Sequence, residues 1–320
     1  MHRLAALALT LVACRPAPPL DLPICPVLVT AARAVEADVR VLPPDLWFRI
    51  LVPGFDRVTG LAPENPRDCS QRPVLADTRA APALPDTRAD PAWDEPAGPA
   101  LPARPRTADD LTFGTSRDGA LLVWARLVDY PDGTARGPVV LARWVAQGLE
   151  IRGVGSLRAP ARRARLHLER LGGEHPLLVA EGEACPVDPA CEPGTTCLSG
   201  QPTACPREAV LLPLVDQRFL TADLLEGERP VRPARLRLDE RRDLPGPGGR
   251  TRRLEIRRRL DLRGPSPALH AAIRVRDCLP DRPCSDHLTL LDARPITLAD
   301  LTIITQEDPW NALLTQETFQ

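Results

Sequence analysis

No lysine occurs among the 320 residues, so all 41 basic side chains are arginine. Two readings of that absence stand: a coding bias towards GC-rich codons, or selection for the bidentate contacts a guanidinium makes with anions. Aromatic residues are 3% of the chain, which argues against a sugar-binding surface built on stacked rings. The formal net charge of −1 lacks the global basicity that nucleic acid or acidic lipid would select. Catalytic signatures are missing as well. There is no Gly-x-Ser-x-Gly, and Gly114–Gly119 reads as a turn between strands rather than a nucleophile elbow. Gly153-Val154-Gly155-Ser156 is too short for a dinucleotide fingerprint. Beyond His2, the histidines are His167, His175, His270 and His287, and none has a partner at metal-binding spacing. Asp188 and Glu192 match no calcium loop. The sequence therefore names no catalytic residue, no cofactor and no metal.

The N-terminus is informative. Met1-His2-Arg3 is a short basic start, and Leu4 to Ala13 is an apolar run. A membrane-crossing helix needs about 20 apolar residues, so this run suits an export signal instead. It closes on Leu11-Val12-Ala13-Cys14, followed by Arg15-Pro16-Ala17-Pro18-Pro19. That tetrapeptide resembles the lipobox of bacterial lipoproteins. The resemblance implies cleavage before Cys14, acylation of Cys14, and membrane lipid as a partner held through it. Attachment by two or more acyl chains is lasting, where one chain binds only marginally. Arg15, rather than an aspartate, after the cysteine implies the outer membrane, with the protein facing the periplasm or the surface. The resemblance covers only the first twenty residues and carries no fold.

Setting Cys14 aside leaves Cys25, Cys69, Cys185, Cys191, Cys197, Cys205, Cys278 and Cys284. An even set in an exported chain reads as a disulfide framework. Clustering pairs Cys278 with Cys284 and Cys25 with Cys69, and leaves the central four to pair among themselves. Neighbouring cysteines within the clusters are separated by five residues in three cases, wider than the two to four typical of zinc sites.

The 38 prolines and 20 glycines favour strands and turns over long helices. The chain divides into a signal peptide (1–13), a lipid-anchored tether (14–19) and a small N-terminal segment (20–73). A Pro/Ala-rich linker (74–109), a β-rich domain (110–305) and a C-terminal tail (306–320) follow. In the N-terminal segment, 27–40 reads as a helix and Asp45–Val52 as a strand. The linker repeats Asp-Thr-Arg-Ala at 77–80 and 86–89 and buries too little apolar surface to fold alone. Beyond it, strands are expected at 120–129, 163–171, 177–182 and 209–215, and 139–153 reads as one strand or a bent pair broken near Gly148. Further strands are expected at 218–225, 234–239, 251–263, 269–275, 287–291 and 296–305. The expected fold is mainly β: a disulfide-stapled antiparallel sandwich or open barrel-like domain behind the Pro-rich linker.

Alternation is clearest between residues 231 and 277, where 14 arginines face 6 acids. A sheet built from these strands presents Arg235, Arg237, Arg253, Arg257, Arg259, Arg274 and Arg276 as a candidate anion-binding face. The competing reading pairs them with Asp239, Glu255 and Asp261 across strands. The sequence thus points to a non-enzymatic binding or structural module at the outer membrane, whose partner is an envelope polymer or protein and not nucleic acid. The alternative is an envelope hydrolase or carbohydrate-active enzyme without a recognisable motif.

Overall fold

The computed structural model describes residues 42–74, 100–145, 148–171, 175–186, 205–227, 229–231, 234–245, 249–263, 266–279 and 282–306. Its first element is a helix, α1 (Pro44–Leu51), where a strand was expected. Pro44 stands in the first turn, where a missing N–H costs no helical bond, and Asp45 lies at the positive end of the helix dipole. Trp47, Phe48, Ile50 and Leu51 are buried. Aromatic and branched residues gave this stretch its strand-like look. The proline pair at its start was the overriding signal.

Nine strands follow: β1 (Leu111–Thr115), β2 (Leu121–Ala125), β3 (Val128–Asp129), β4 (Thr134–Val145) and β5 (Gly148–Pro160), then β6 (Arg162–Leu171), β7 (His175–Glu183), β8 (Arg207–Val215) and β9 (Arg218–Phe219). Eight of them form a ring in the order β8-β7-β6-β1-β2-β4-β5-β9, and β9 returns to β8. The fold is mainly β, and this part of it is a closed eight-stranded barrel. Closure depends on β9, which runs parallel to β5 at Val154 and Gly155 and antiparallel to β8 at Leu214 and Val215. Gly155 makes that approach possible, since a Cβ there would lie 2.6 Å from Phe219 Cβ. The glycine pair that is too short for a nucleotide fingerprint is thus a barrel-closing device.

The barrel encloses side chains and not a channel. Leu122, Trp124, Ala135, Val139, Leu157, Leu166, Leu178, Leu212 and Phe219 form its buried cluster. The other face of β2, β4 and β5 is covered by α1 and the chain around it, through Val123, Val140, Ile151 and Val154. Burial on both faces explains why Leu121–Ala125 is a continuous apolar run without alternation.

The second sheet uses β10 (Asp223–Glu226), β11 (Arg229–Val231), β13 (Asp239–Pro245), β14 (Thr251–Asp261), β15 (Ala268–Leu279), β16 (Arg282–Ala299) and β17 (Thr302–Thr305). Its order is β11-β10-β17-β16-β15-β14-β13, a half-barrel. β12 (Arg235–Arg237) joins the first sheet instead, beside β8. The half-barrel packs against the outside of β6, β7 and β8: Leu171, Leu177, Val179 and Leu211 meet Leu262, Leu269, Ile296 and Ile303.

Several strand expectations change: 120–129 holds both β2 and β3, 234–239 divides between β12 of the first sheet and β13 of the second, and two more stretches differ. The stretch 218–225 divides between sheets, β9 closing the barrel and β10 entering the half-barrel. The stretch 296–305 is a hairpin that reverses at Asp300 and Leu301, with φ of +48° and +61°. No glycine marks that turn, so the sequence held no signal for it.

Disulfides join Cys185 to Cys205 and Cys278 to Cys284, and Cys69 is also disulfide-bonded. Cys14, Cys25, Cys191 and Cys197 lie outside the described residues, as do the expected helix at 27–40 and the tail beyond Gln306. Of the stretch read as a linker, residues 75–99 lie outside them too, whereas residues 100–109 are pinned to the barrel. There Arg106 reaches Asp129 at 2.7 Å and Arg104 reaches Asp110 at 2.6 Å. No helix among the described residues is long and apolar enough to cross a membrane.

Candidate functional site

The half-barrel's outer face carries the arginine ladder. Rows across β13, β14, β15 and β16 follow from register: Asp239–Arg257–Ala272–Leu291, then Arg241–Glu255–Arg274–Thr289, then Asp243–Arg253–Arg276–Asp286. Four of the seven expected arginines, Arg253, Arg257, Arg274 and Arg276, stand in these rows, and Arg259 lies further along β14, opposite His270. Arg235 and Arg237 do not stand there, because β12 belongs to the barrel's sheet. Arg235 instead bonds Glu208 at 2.6 Å, and Arg237 lies 4.0 Å from the same carboxylate.

The ladder is largely self-neutralised. Arg253 bonds Asp243 at 3.0 Å, and Arg276 bonds Asp286 at 3.2 Å and Glu255 at 3.4 Å. Arg274 also pairs with Asp286, and Arg241 with Asp243. These contacts hold Asp243 and Asp286 below the usual carboxylate range, first through the hydrogen bonds from Arg241 and Arg274 respectively. Exposed pairs of this kind add little stability, because water and salt screen them. A face tiled with alternating signs offers no strong field to an anion.

A different group of residues converges at the seam between the sheets. A cleft of ≈ 230 Å³ is lined by His167 and Glu169 from β6 and by Arg259, Leu260, Asp261, Leu262 and Arg263 from the end of β14. His167 and Glu169 share the barrel's outer face with Leu171, two residues apart along β6. Glu169 is 6% exposed. Its two oxygens each accept a bond at 3.1 Å, one from Arg117 Nη2 and one from Arg263 Nε. Arg117 comes from the turn between β1 and β2, so three segments of chain meet at one carboxylate.

The three cations around this cleft remain open to solvent. Side-chain exposure is 70% for Arg117, 72% for Arg263 and 75% for Arg259, whose nearest acid is Asp261 at 3.8 Å. Three guanidiniums therefore face two carboxylates. Arg117 and Arg263 touch Glu169 through one nitrogen each, and a guanidinium has five N–H donors. The seam thus presents donors in a fork geometry suited to phosphate or carboxylate oxygens. Burial pushes the His167 imidazole below its ordinary value, and Arg263 adds to this while Glu181 and Glu169 oppose it.

Sequence reasoning had Arg259 but missed Glu169, Arg117 and Arg263. The available signal was on β6: its polar face turns apolar at Leu171, so the polar residues just before that point approach a covered surface. Two further histidines lie apart from the cleft. His270 is partly buried on the outer face of β15, and His287 is exposed, 3.6 Å from Asp277. Glu183, Cys185 and Cys205 gather at ligand distance, but the two sulfurs are joined and offer no thiolate to a metal.

No protein-family model, no curated protein and no solved structure matches this chain.

Proposed function

We propose that the protein is an outer-membrane lipoprotein, anchored through acylated Cys14, and a non-enzymatic module that binds an anionic envelope polymer at the seam. The observation that carries this is the convergence of Arg117 and Arg263 on the buried carboxylate of Glu169, with Arg259 lining the same cleft and all three guanidiniums largely exposed. The barrel serves as scaffold, because its interior is filled by its own side chains. The anchor rests on Leu11-Val12-Ala13-Cys14.

The test is binding to vesicles containing lipopolysaccharide, whose phosphates supply the anion. Arg117→Ala, Arg259→Ala and Arg263→Ala together are expected to weaken binding by about 1.5–3 kcal/mol for each charge-assisted hydrogen bond removed. Binding of the native chain should fall as salt rises. Equal binding by the native chain and the triple variant would refute the anion site.

A second reading, an envelope hydrolase, has one observation in its favour: the same cleft holds His167, whose imidazole burial pushes below its ordinary value, beside Glu169 and Asp261. A neutral imidazole is a competent general base. This reading requires hydrolysis of an envelope ester or glycoside that His167→Ala abolishes.

A further inference from the structure

The two disulfides stand in different chemical surroundings. One nitrogen of Arg162, Nη1, lies 3.5 Å from Cys185 Sγ and 3.7 Å from Cys205 Sγ. Among the described residues, no hydrogen bond reaches the sulfurs of Cys278 and Cys284. A disulfide sulfur is a weak, neutral acceptor, whereas a thiolate is charged and accepts strongly. The Arg162 contact therefore gains most of its strength when the S–S bond opens. Because one nitrogen reaches both sulfurs, it stabilises whichever of the two leaves as a thiolate.

The local charge acts in the same direction. Arg163 Nη1 lies 2.9 Å from Glu183, and Arg162 Nε lies 3.6 Å from the same carboxylate. An oxygen of Glu183 comes within 4.8 Å of both sulfurs, and alone it would oppose a thiolate. Two guanidiniums against one carboxylate leave a positive surplus that one thiolate neutralises. Cationic neighbours of this kind lower a thiol's pKa and make it a better leaving group.

The frame around the sulfurs does not depend on the bond between them. β7 and β8 pair as far as Glu183 and Arg207, and Ala184 N–H then donates to the Pro206 carbonyl at 2.9 Å. The Cys185 backbone lies so close to Gly133 that a Cβ there would collide with it. Once opened, the pair stays in register and re-forms without refolding. Both cysteines are partly exposed, and the Arg162 side chain is 58% exposed.

We propose that Cys185–Cys205 is a thiol-exchange site for a dithiol partner, whereas Cys278–Cys284 is a structural cross-link. A thiolate of the dithiol attacks one sulfur and forms a mixed disulfide. The Cys185–Cys205 bond breaks, and the other sulfur leaves as a thiolate against Arg162. The partner's second thiol then gives up its proton and attacks the partner's sulfur in the mixed disulfide, which releases the second cysteine. Two electrons and two protons pass to the pair, which becomes two thiols, and the dithiol is oxidised to a disulfide.

The test equilibrates the full-length protein in mixtures of reduced and oxidised dithiothreitol, quenches by alkylation, and reads the labelling of each cysteine by mass spectrometry. Cys185 and Cys205 should open at a lower ratio of reduced to oxidised reagent than Cys278 and Cys284. In Arg162→Gln that ratio should rise about tenfold, the lower end for one hydrogen bond to a charged group. The ratio for Cys278–Cys284 should not move, which also reports that the sheets are intact. A Cys185–Cys205 bond that opens no earlier than Cys278–Cys284 overturns the proposal. So does an unchanged ratio in Arg162→Gln, or a shift of both disulfides together.

Discussion

The barrel and the half-barrel solve the same problem in opposite ways. In the barrel, β9 bridges β5 and β8 and closes the ring, and the space inside is filled by Trp124, Phe219 and aliphatic side chains. The half-barrel keeps two ends, and its end strand β13 reads Asp-Glu-Arg-Arg-Asp-Leu-Pro, charges that discourage edge-to-edge pairing. Its outer face is an ion-pair ladder, and a disulfide between Cys278 and Cys284 closes the β15–β16 turn. A closed sheet relies on its contents, whereas an open one relies on charge and cross-links. The candidate site lies where the two meet, and there segments from both sheets bring buried and exposed charge together.

The largest effect should come from emptying the barrel. Trp124 is fully buried, and Trp124→Ala should cost about 4 kcal/mol, read as a lower urea midpoint. The contrast is Ile256→Ala, in the half-barrel's smaller cluster, which should cost less. A larger loss at Ile256 would reverse the roles given to the two sheets.

Next in size is the cross-link. Replacing Cys278 and Cys284 by serine releases a six-residue loop constraint, worth about 2 kcal/mol in chain entropy. Exchange of half-barrel amides should rise while barrel amides stay slow. Uniform loosening of both sheets would show that they open as one unit.

The smallest effect is a pH dependence at the seam. Burial holds the folded-state His167 below the ordinary value of 6.5. In that interval the unfolded chain binds more protons than the folded one, so stability falls as pH drops below about 6.5. His167→Gln should flatten this part of the stability curve. An unchanged slope in the variant would assign it to other groups.

How much of this was legible beforehand follows from particular residues. Alternation from Arg253 to Asp261 and from Leu269 to Val275 revealed β14 and β15, because one face of each is solvated. The pairings Cys278–Cys284 and, within the central four, Cys185–Cys205 agreed with clustering. The helix at Pro44–Leu51 was misread because its aromatic and branched residues look strand-like, although Asp45 and Arg49 stand one helical turn apart on the polar side. The hairpin at Asp300–Leu301 was invisible because leucine is not among the residues that usually take positive φ in a turn. The seam was out of reach for a different reason. Glu169 and Arg263 are 94 residues apart, and only the docking of one sheet on the other joins them.

The central claim is that binding resides at the seam and not on the ladder. The most direct measurement compares the Arg117, Arg259 and Arg263 alanine triple with an Arg253, Arg257 and Arg274 alanine triple, which removes the same charge, in binding to lipopolysaccharide vesicles. With binding at the seam, the seam variant loses binding and the ladder variant keeps most of it. Equal losses would mean that net charge alone governs binding, and loss only in the ladder variant would contradict the account outright.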